Sequence, residues 1–445
     1  MRDTGTGCPS TGTVTAAARV ALACLAILLL AQPAAAAAAE DFVLDAAGRV
    51  CRGGVAAPPA EGAALESEDR FRLRDEMGWM RLWRFPGGSL KVTGIRRGPG
   101  AGAMFFVDYH EGAAGAERPL MRAVVDQSCR VLGGRKIVYA DSDGAATAEA
   151  VQPLDAAMRP QGQPAPLNPP VPDGTGGRDC TRVALLDNGV NYLEPEIEAR
   201  LARDPDGRLV GYDFWDDDDR PFDFGVPPGS KDPRVSAFSP RRHGSMVASV
   251  FIRDAPRQVC IVPYRYFPQD PERKIGAIVE RAAADGVRVV SISSGRSRPW
   301  PDFEEAMRRH PDMLFVIAAG NEGADLRNTP NYPASYDVPN AVVVAAADET
   351  HGLWARSNHG AGVVHVAVRA TDLPGRRFDG SPAELTGTSF ASPRIAAVAG
   401  AIAARDSALS GAELRAEILA LARGTGVVAS EIPVLTDEAI AAAVR

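Results

Sequence analysis

The chain has 445 residues, 45% of them hydrophobic and 24% charged, a balance that excludes a wholly disordered chain and gives room for two folded units plus connecting segments. Lysine and arginine number 49 against 56 aspartate and glutamate, a net charge of -7. A mildly acidic chain without a long basic run argues against nucleic acid or an anionic membrane surface as its partner.

Residues 1–39 read as an export signal rather than as fold. Arg19 precedes the apolar run from Val20 to Ala31, and Gln32-Pro33 and an alanine tract to Ala39 follow. A positive flank, a short apolar core and small residues at the cut are the pattern of a secretory signal peptide. The run is too short to span a bilayer comfortably, and no second membrane-length stretch follows. The mature chain is therefore expected to be secreted or periplasmic, with no membrane attachment once the signal is removed. Cys8 and Cys24 leave with the signal, and Cys51, Cys129, Cys180 and Cys260 remain for an oxidising compartment. Of the possible pairings, Cys51–Cys129 with Cys180–Cys260 is expected, because each pair then falls inside one unit.

Residues 40–149 are rich in short strand-like runs broken by glycine clusters such as Gly98-Pro99-Gly100. The runs include Phe42-Val43-Leu44, Ser89 to Val92, Met104 to Val107, Met121 to Val125 and Ile137 to Tyr139. They predict a small β-rich or α+β domain without a catalytic motif, either a pro-domain or a permanent accessory. Residues 150–178 hold Pro160, Pro164, Pro166, Pro169, Pro170 and Pro172, a density that favours an extended linker.

Residues 179–445 change character. Val183 to Leu186, Val259 to Val262, Val287 to Ile292, Leu314 to Ala319 and Ala341 to Ala345 are nearly continuous apolar runs of strand length. Helical patterns at Ile275 to Ala282 and Phe303 to Arg309 lie between them. Strands apolar on both faces, alternating with helices, predict an α/β unit with a parallel sheet covered on both sides.

Four short segments of this unit carry polar groups suited to nucleophilic catalysis. A serine hydroxyl becomes a nucleophile when a base takes its proton and a carboxylate orients that base. Thr388-Ser389-Phe390-Ala391-Ser392-Pro393 opens an apolar helical stretch after Gly387, so Ser389 stands at the positive end of a helix dipole. His243, in Arg242-His243-Gly244-Ser245, opens another pattern of small residues and is the best base among the histidines. Asp187 ends an apolar strand, where sites form in open α/β sheets. Asn321 follows a further buried strand, and its amide could donate to an oxyanion. Each alone has a plain reading as a cap, core or turn residue. Together they occur in the order Asp, His, Asn, Ser within one unit.

With Asp187-Asn188-Gly189, His243-Gly244-Ser245, Gly320-Asn321 and Gly387 to Pro393, the chain resembles the subtilisin-like serine proteases, or subtilases. Ser291 to Gly295 is similar to that family's substrate-binding strand, and Tyr332-Pro333-Ala334-Ser335 to the loop under its specificity pocket. The resemblance runs from about Cys180 to Gly424. It implies a three-layer α/β sandwich with a mostly parallel central sheet. It also implies an endopeptidase in which Ser389 attacks, His243 is base and then acid, Asp187 orients it, and Asn321 binds the oxyanion. Ser293, Ser294, Gly295, Gly320 and Asn331 are the implied substrate-binding residues, and protein or peptide substrates the implied partners of a monomer. No cofactor or catalytic metal is expected. Relatives often bind structural calcium, and Asp216 to Asp219 with Asp213 and Asp223 could supply oxygen ligands, although a solvated acidic loop is the plainer reading. Asn188, Ser245 and the Ser293-Ser294 pair depart from the family's usual residues without removing a catalytic atom. A silent subtilase-fold scaffold is the alternative function.

Overall fold

The apolar runs of the second half become adjacent strands of one sheet. The structure is a computed structural model that describes residues 39–53, 57–73, 76–97, 102–142, 145–174, 176–226, 232–266 and 275–445. The expected signal peptide and the Gly98-Pro99-Gly100 break lie outside the described residues. Two units are distinguished, Met1–Tyr139 with Val151–Ala165, and Ala140–Ala150 with Pro166–Arg445.

The first unit starts with helix α1, residues 39–53, where the run Phe42-Val43-Leu44 had predicted a strand. Val43, Ala46, Ala47 and Val50 are its buried positions. That is helical spacing, which a three-residue apolar run does not reveal. The sheet strands are β1 (Ala64–Leu73), β2 (Glu76–Phe85), β3 (Gly88–Arg97), β4 (Ala103–Glu111), β5 (Arg118–Asp126), β6 (Val131–Ser142), β7 (Ala145–Leu154) and β8 (Ala165–Pro166), side by side in chain order. The α1 residues share a core with Trp83, Leu90, Val92, Val107 and Met121. Cys51 of α1 is bonded to Cys129. β7 carries paired, extended backbone as far as Leu154, into the segment expected to be linker.

In the second unit the described elements are β9 (Thr181–Asp187), α2 (Pro195–Glu198), β10 (Tyr212–Asp213), α3 (Gly244–Asp254), β11 (Val259–Arg265), α4 (Ile275–Ala284), β12 (Val287–Ile292), α5 (Pro301–Arg309), β13 (Leu314–Ala318), β14 (Ala341–Ala347), β15 (Val366–Arg369), β16 (Leu373–Arg376), β17 (Pro382–Leu385), α6 (Thr388–Arg405), α7 (Gly411–Gly424), β18 (Val428–Ala429), β19 (Ile432–Leu435) and α8 (Asp437–Ala443). The main sheet has the order β10-β11-β9-β12-β13-β14-β15-β19-β18 and is parallel except at β18. Strand side chains alternate between its faces. Val183 and Leu185 pack with Val247 and Phe251 of α3 and Ile395 and Val398 of α6. Ala184 and Leu186 pack with Ile278 of α4 and Phe303 of α5. This is the three-layer α/β arrangement expected from the apolar runs. Cys180, just before β9, is bonded to Cys260 of β11, so both expected disulfides are present.

His365, just ahead of β15, sits half-buried beside Arg415 of α7, with Nδ1 accepting the Val343 N–H at 2.9 Å. Burial, reinforced by the Arg415 charge and opposed by Asp337, pushes its pKa down to about 4. The folded chain therefore refuses a proton that the unfolded chain takes up below pH of about 6.5. Stability should fall as pH drops from about 6.5 to 4, by at most about 3 kcal/mol from this group. Urea unfolding across that range should show a shallower pH dependence in His365→Gln than in the parent. Parallel curves would remove His365 from the acid response.

Candidate active site

Each candidate residue stands at the end of a strand or the start of a helix. Asp187 is the last residue of β9, His243 is the N-cap of α3, and Ser389 is the second residue of α6. Asn321 follows β13 after Ala319 and Gly320. Parallel strands direct their carboxyl ends to one edge, so these positions converge there.

Asp187 is 7% exposed, and its two oxygens lie 2.8 and 2.9 Å from His243 Nδ1. One of them also accepts the Asn188 N–H at 2.8 Å. A carboxylate only accepts, so Nδ1 carries the imidazole proton and Nε2 is left with its lone pair. Nε2 has no partner among the described residues. The Phe390 ring, next to Ser389, stands 5.9 Å from the imidazole.

The serine turn is held by a reciprocal pair of bonds with Ser293. Ser389 Oγ donates to the Ser293 carbonyl at 3.2 Å, and Ser293 Oγ donates to the Ser389 carbonyl at 3.0 Å. Pro393 explains the second bond. In an α-helix the Ser389 carbonyl would accept the N–H of residue 393, and proline has none. Ser392 Oγ, 3.0 Å from Ser293 Oγ, extends this buried hydroxyl chain. No hydrogen bond joins Ser389 to His243.

Asn321 is aimed by Thr388. Its Oδ1 accepts from the Thr388 N–H at 2.9 Å and from the Thr388 hydroxyl at 3.0 Å. Thr388 Oγ1 in turn accepts the Gly320 N–H at 3.1 Å. With its oxygen committed, Asn321 presents Nδ2, which has no partner among the described residues. The Ser389 N–H is one of the first-turn donors without an intrahelical acceptor. Gly387 precedes them at φ 144°, a backbone conformation that a side chain disfavours.

The substrate-binding candidates form a second group. Ser293, Ser294 and Gly295 lie just beyond β12, and Arg296 then bridges antiparallel to Tyr332. Asn331 faces both glycines: a Cβ on Gly295 would lie 2.7 Å, and one on Gly320 2.8 Å, from its Nδ2. That Nδ2 donates to the Ala319 carbonyl at 3.1 Å. The same Cβ on Gly320 would meet Glu322 Oε2 at 2.7 Å, and Asn358 holds this oxygen at 2.8 Å. Glu322 and Asn358 were given no role from sequence, and the turn of Gly320 brings their side chains beside Asn331.

Asp223 is the other residue that sequence reading misplaced, grouped there with possible cation ligands. It is fully buried and accepts the His243 N–H at 3.1 Å, the Gly244 N–H at 3.4 Å and the Ser245 N–H at 2.8 Å. It therefore supplies the acceptor that the N-terminus of α3 lacks. Burial pushes its carboxyl up, while bonds from Ser245 and the nearby Arg242 pull it down. Arg242 lies over the Phe378 ring at 3.9 Å and donates to the Asp223 carbonyl. Four of the other acidic candidates also have protein partners. Asp213 and Asp216 pair with Arg265, Asp217 accepts from Tyr212, and Asp218 takes Asn168 and Arg220. Asp223→Ala should lower stability by about 1–3 kcal/mol, the range for orphaned buried donors, read as a shifted guanidinium unfolding midpoint. An unchanged midpoint would deny Asp223 this role.

The sequence profile of the subtilase family, peptidase S8, matches residues 179–432, more than half of the chain. The chain belongs to the subtilase family. Among its relatives, the thermophilic serine proteinase of Bacillus sp. (strain AK1) is 27% identical over 251 residues, covering 52% of this chain and 54% of that protein. Thermitase of Thermoactinomyces vulgaris is 27% identical over 256 residues, covering 56% of this chain and 83% of thermitase. The crystal structure of a cold adapted subtilisin-like serine proteinase superposes with a TM-score of 0.45 at 22% identity, covering 59% of this chain and 91% of its own. The chain thus spans about half the length of the first of these proteins and more of the second.

Proposed function

We propose that the chain is an exported serine endopeptidase that cleaves peptide bonds through Ser389, His243 and Asp187. The observation that carries this reading is the paired contact of Asp187 with His243 Nδ1, which leaves Nε2 ready to accept a proton. Rotation of the Ser389 side chain moves its hydroxyl from the Ser293 carbonyl to Nε2. As Oγ bonds to the scissile carbon, the proton passes to Nε2 and the carbonyl electrons move onto oxygen. Asn321 Nδ2 and the Ser389 N–H receive that charge. When the C–N bond breaks, Nε2 returns the proton to the leaving amine. Water then hydrolyses the acyl-enzyme by the same path.

The backbone of residues 293–295 would pair an extended substrate by strand addition. Gly295, Gly320 and Asn331 bound the pocket for the side chain before the cut, with Ser294 at its rim. Residues 1–39 are proposed as a removable signal, residues 40–149 as a pro-domain or accessory domain, and residues 150–178 as the connection to a monomeric catalytic domain. Secreted product beginning near Thr175 to Arg182 would identify a removed pro-domain, and one beginning near Glu40 a permanent unit.

The test is active-site labelling. A fluorophosphonate probe should modify the parent protein and not Ser389→Ala, with the adduct mapped to Ser389. Correctly folded parent protein that stays unlabelled would instead make the chain a silent subtilase-fold scaffold.

A further inference from the structure

The first unit carries a cavity of about 380 Å³ that the proposed reaction does not use. Its walls come from transverse rows of β1 to β4. Arg70, Trp79, Gly94 and Phe105 are successive cross-strand partners, and directly paired residues share one face of a sheet. Glu68 and Arg81 come from the next row on one side, and Met77, Arg96 and Ala103 from the next row on the other.

Two features make this a built site rather than a dent in the surface. Gly94 lets the Trp79 indole lie against the sheet, since a Cβ there would come within 2.5 Å of the ring. The Phe105 ring stands 6.3 Å from that indole and tilted to it, so the two form an apolar corner. Arg81 lies along the indole at 5.6 Å from its centre. It spends Nε and Nη2 on one oxygen of Glu68, at 3.0 and 2.8 Å. Its Nη1 is buried with no hydrogen-bond partner, although an unmet buried donor normally costs about 1–3 kcal/mol. Arg70 reaches Glu68 only at 3.8 Å and is 82% exposed, and Arg96 is exposed without an ion pair among the described residues. The lining therefore sets three guanidiniums against a single carboxylate, Glu68, around an aromatic corner.

We propose that this cavity binds the free C-terminal end of a peptide whose last side chain is apolar or aromatic. The side chain fills the Trp79–Phe105 corner, and the carboxylate accepts from Arg81 Nη1 with Arg96 and Arg70 at the rim. Charge-assisted bonds from a guanidinium are the strong, specific way to read a carboxylate. Single-stranded nucleic acid fits less well. It needs successive stacking platforms along a basic track, whereas beside the Trp79–Phe105 corner the lining offers Met77 and Ala103, in a chain of net charge -7. Peptide hydrolysis creates such C-terminal ends, but the site shares no residue with the proposed catalytic set and its test does not require turnover.

The test uses full-length Ser389→Ala protein in calorimetric titrations with N-acetyl-Gly-Phe as free acid, the same dipeptide as amide, and adenosine monophosphate. The acid should bind saturably, and at least about tenfold more tightly than the amide, the loss expected for one charge-assisted bond. Trp79→Ala and Arg81→Gln should each weaken the acid about tenfold or more. Arg96→Gln, an exposed residue whose change leaves the core untouched, should weaken it measurably and flatten its salt dependence. Equal affinity for acid and amide, tighter binding of the nucleotide, or no saturable binding of the acid would each overturn the proposal. Failure here would leave labelling of Ser389 in the parent protein unaffected.

Discussion

Asp187→Asn should leave the fold intact and cut turnover by about 10,000-fold, the loss known for the equivalent exchange in trypsin-type proteases. The two side chains have nearly the same volume, and the site keeps an oxygen for the Asn188 N–H that Asp187 now accepts at 2.8 Å. What changes is the imidazole. Both Asp187 oxygens lie within 2.9 Å of His243 Nδ1, and both can only accept. An asparagine turns an NH2 group toward Nδ1 in one of its two orientations, which favours the tautomer with its proton on Nε2. That nitrogen could then no longer take the Ser389 proton. It also removes the negative charge that stabilises the imidazolium in the transition state. The loss should appear in kcat, with unfolding midpoint and circular dichroism matching the parent. Undiminished kcat would refute the role of Asp187.

The second unit was the more legible part of the chain for a physical reason. A parallel strand buried on both faces is apolar at nearly every position, so Val287 to Ile292, polar only at Arg288 and Ser291, reads as a strand and is one, β12. The candidate carboxylate then stands where the apolar run stops, as Asp187 does after Leu186. Contacts that depend on long-range closure left no such mark. Asp223 lies 20 residues before His243 in an aspartate-rich stretch, and nothing local distinguishes the one carboxylate that caps α3. The bond from Ser293 to the Ser389 carbonyl follows from Pro393 only once the helix is known to include both residues. In the first unit, α1 was read as a strand because its first apolar residues are consecutive, whereas its buried set is spaced by three and four. Amphipathic spacing outweighs a short apolar run.

Asn321→Leu should lower kcat by about 100- to 1,000-fold with KM little changed, the loss that removing one oxyanion donor causes in serine proteases. Leucine keeps the size of the side chain and removes the amide, so the ground-state fit of a peptide is preserved and the charge that develops on its carbonyl loses a donor. Such a loss confined to kcat is the mark of an interaction made in the transition state. Thr388 allows a finer test. Thr388→Val leaves the backbone N–H on Asn321 Oδ1, at 2.9 Å, and removes the hydroxyl that holds the same oxygen at 3.0 Å. Asn321 then keeps its donor but loses part of what aims it. The expected loss is smaller, about tenfold, equivalent to about 1.4 kcal/mol, and again in kcat. If Asn321 were only a turn residue, both substitutions would shift the unfolding midpoint and leave the kcat of the folded fraction alone. A ranking with Asn321→Leu well below Thr388→Val, and Thr388→Val below the parent, requires that the amide act on the reacting carbonyl and that Thr388 act through it.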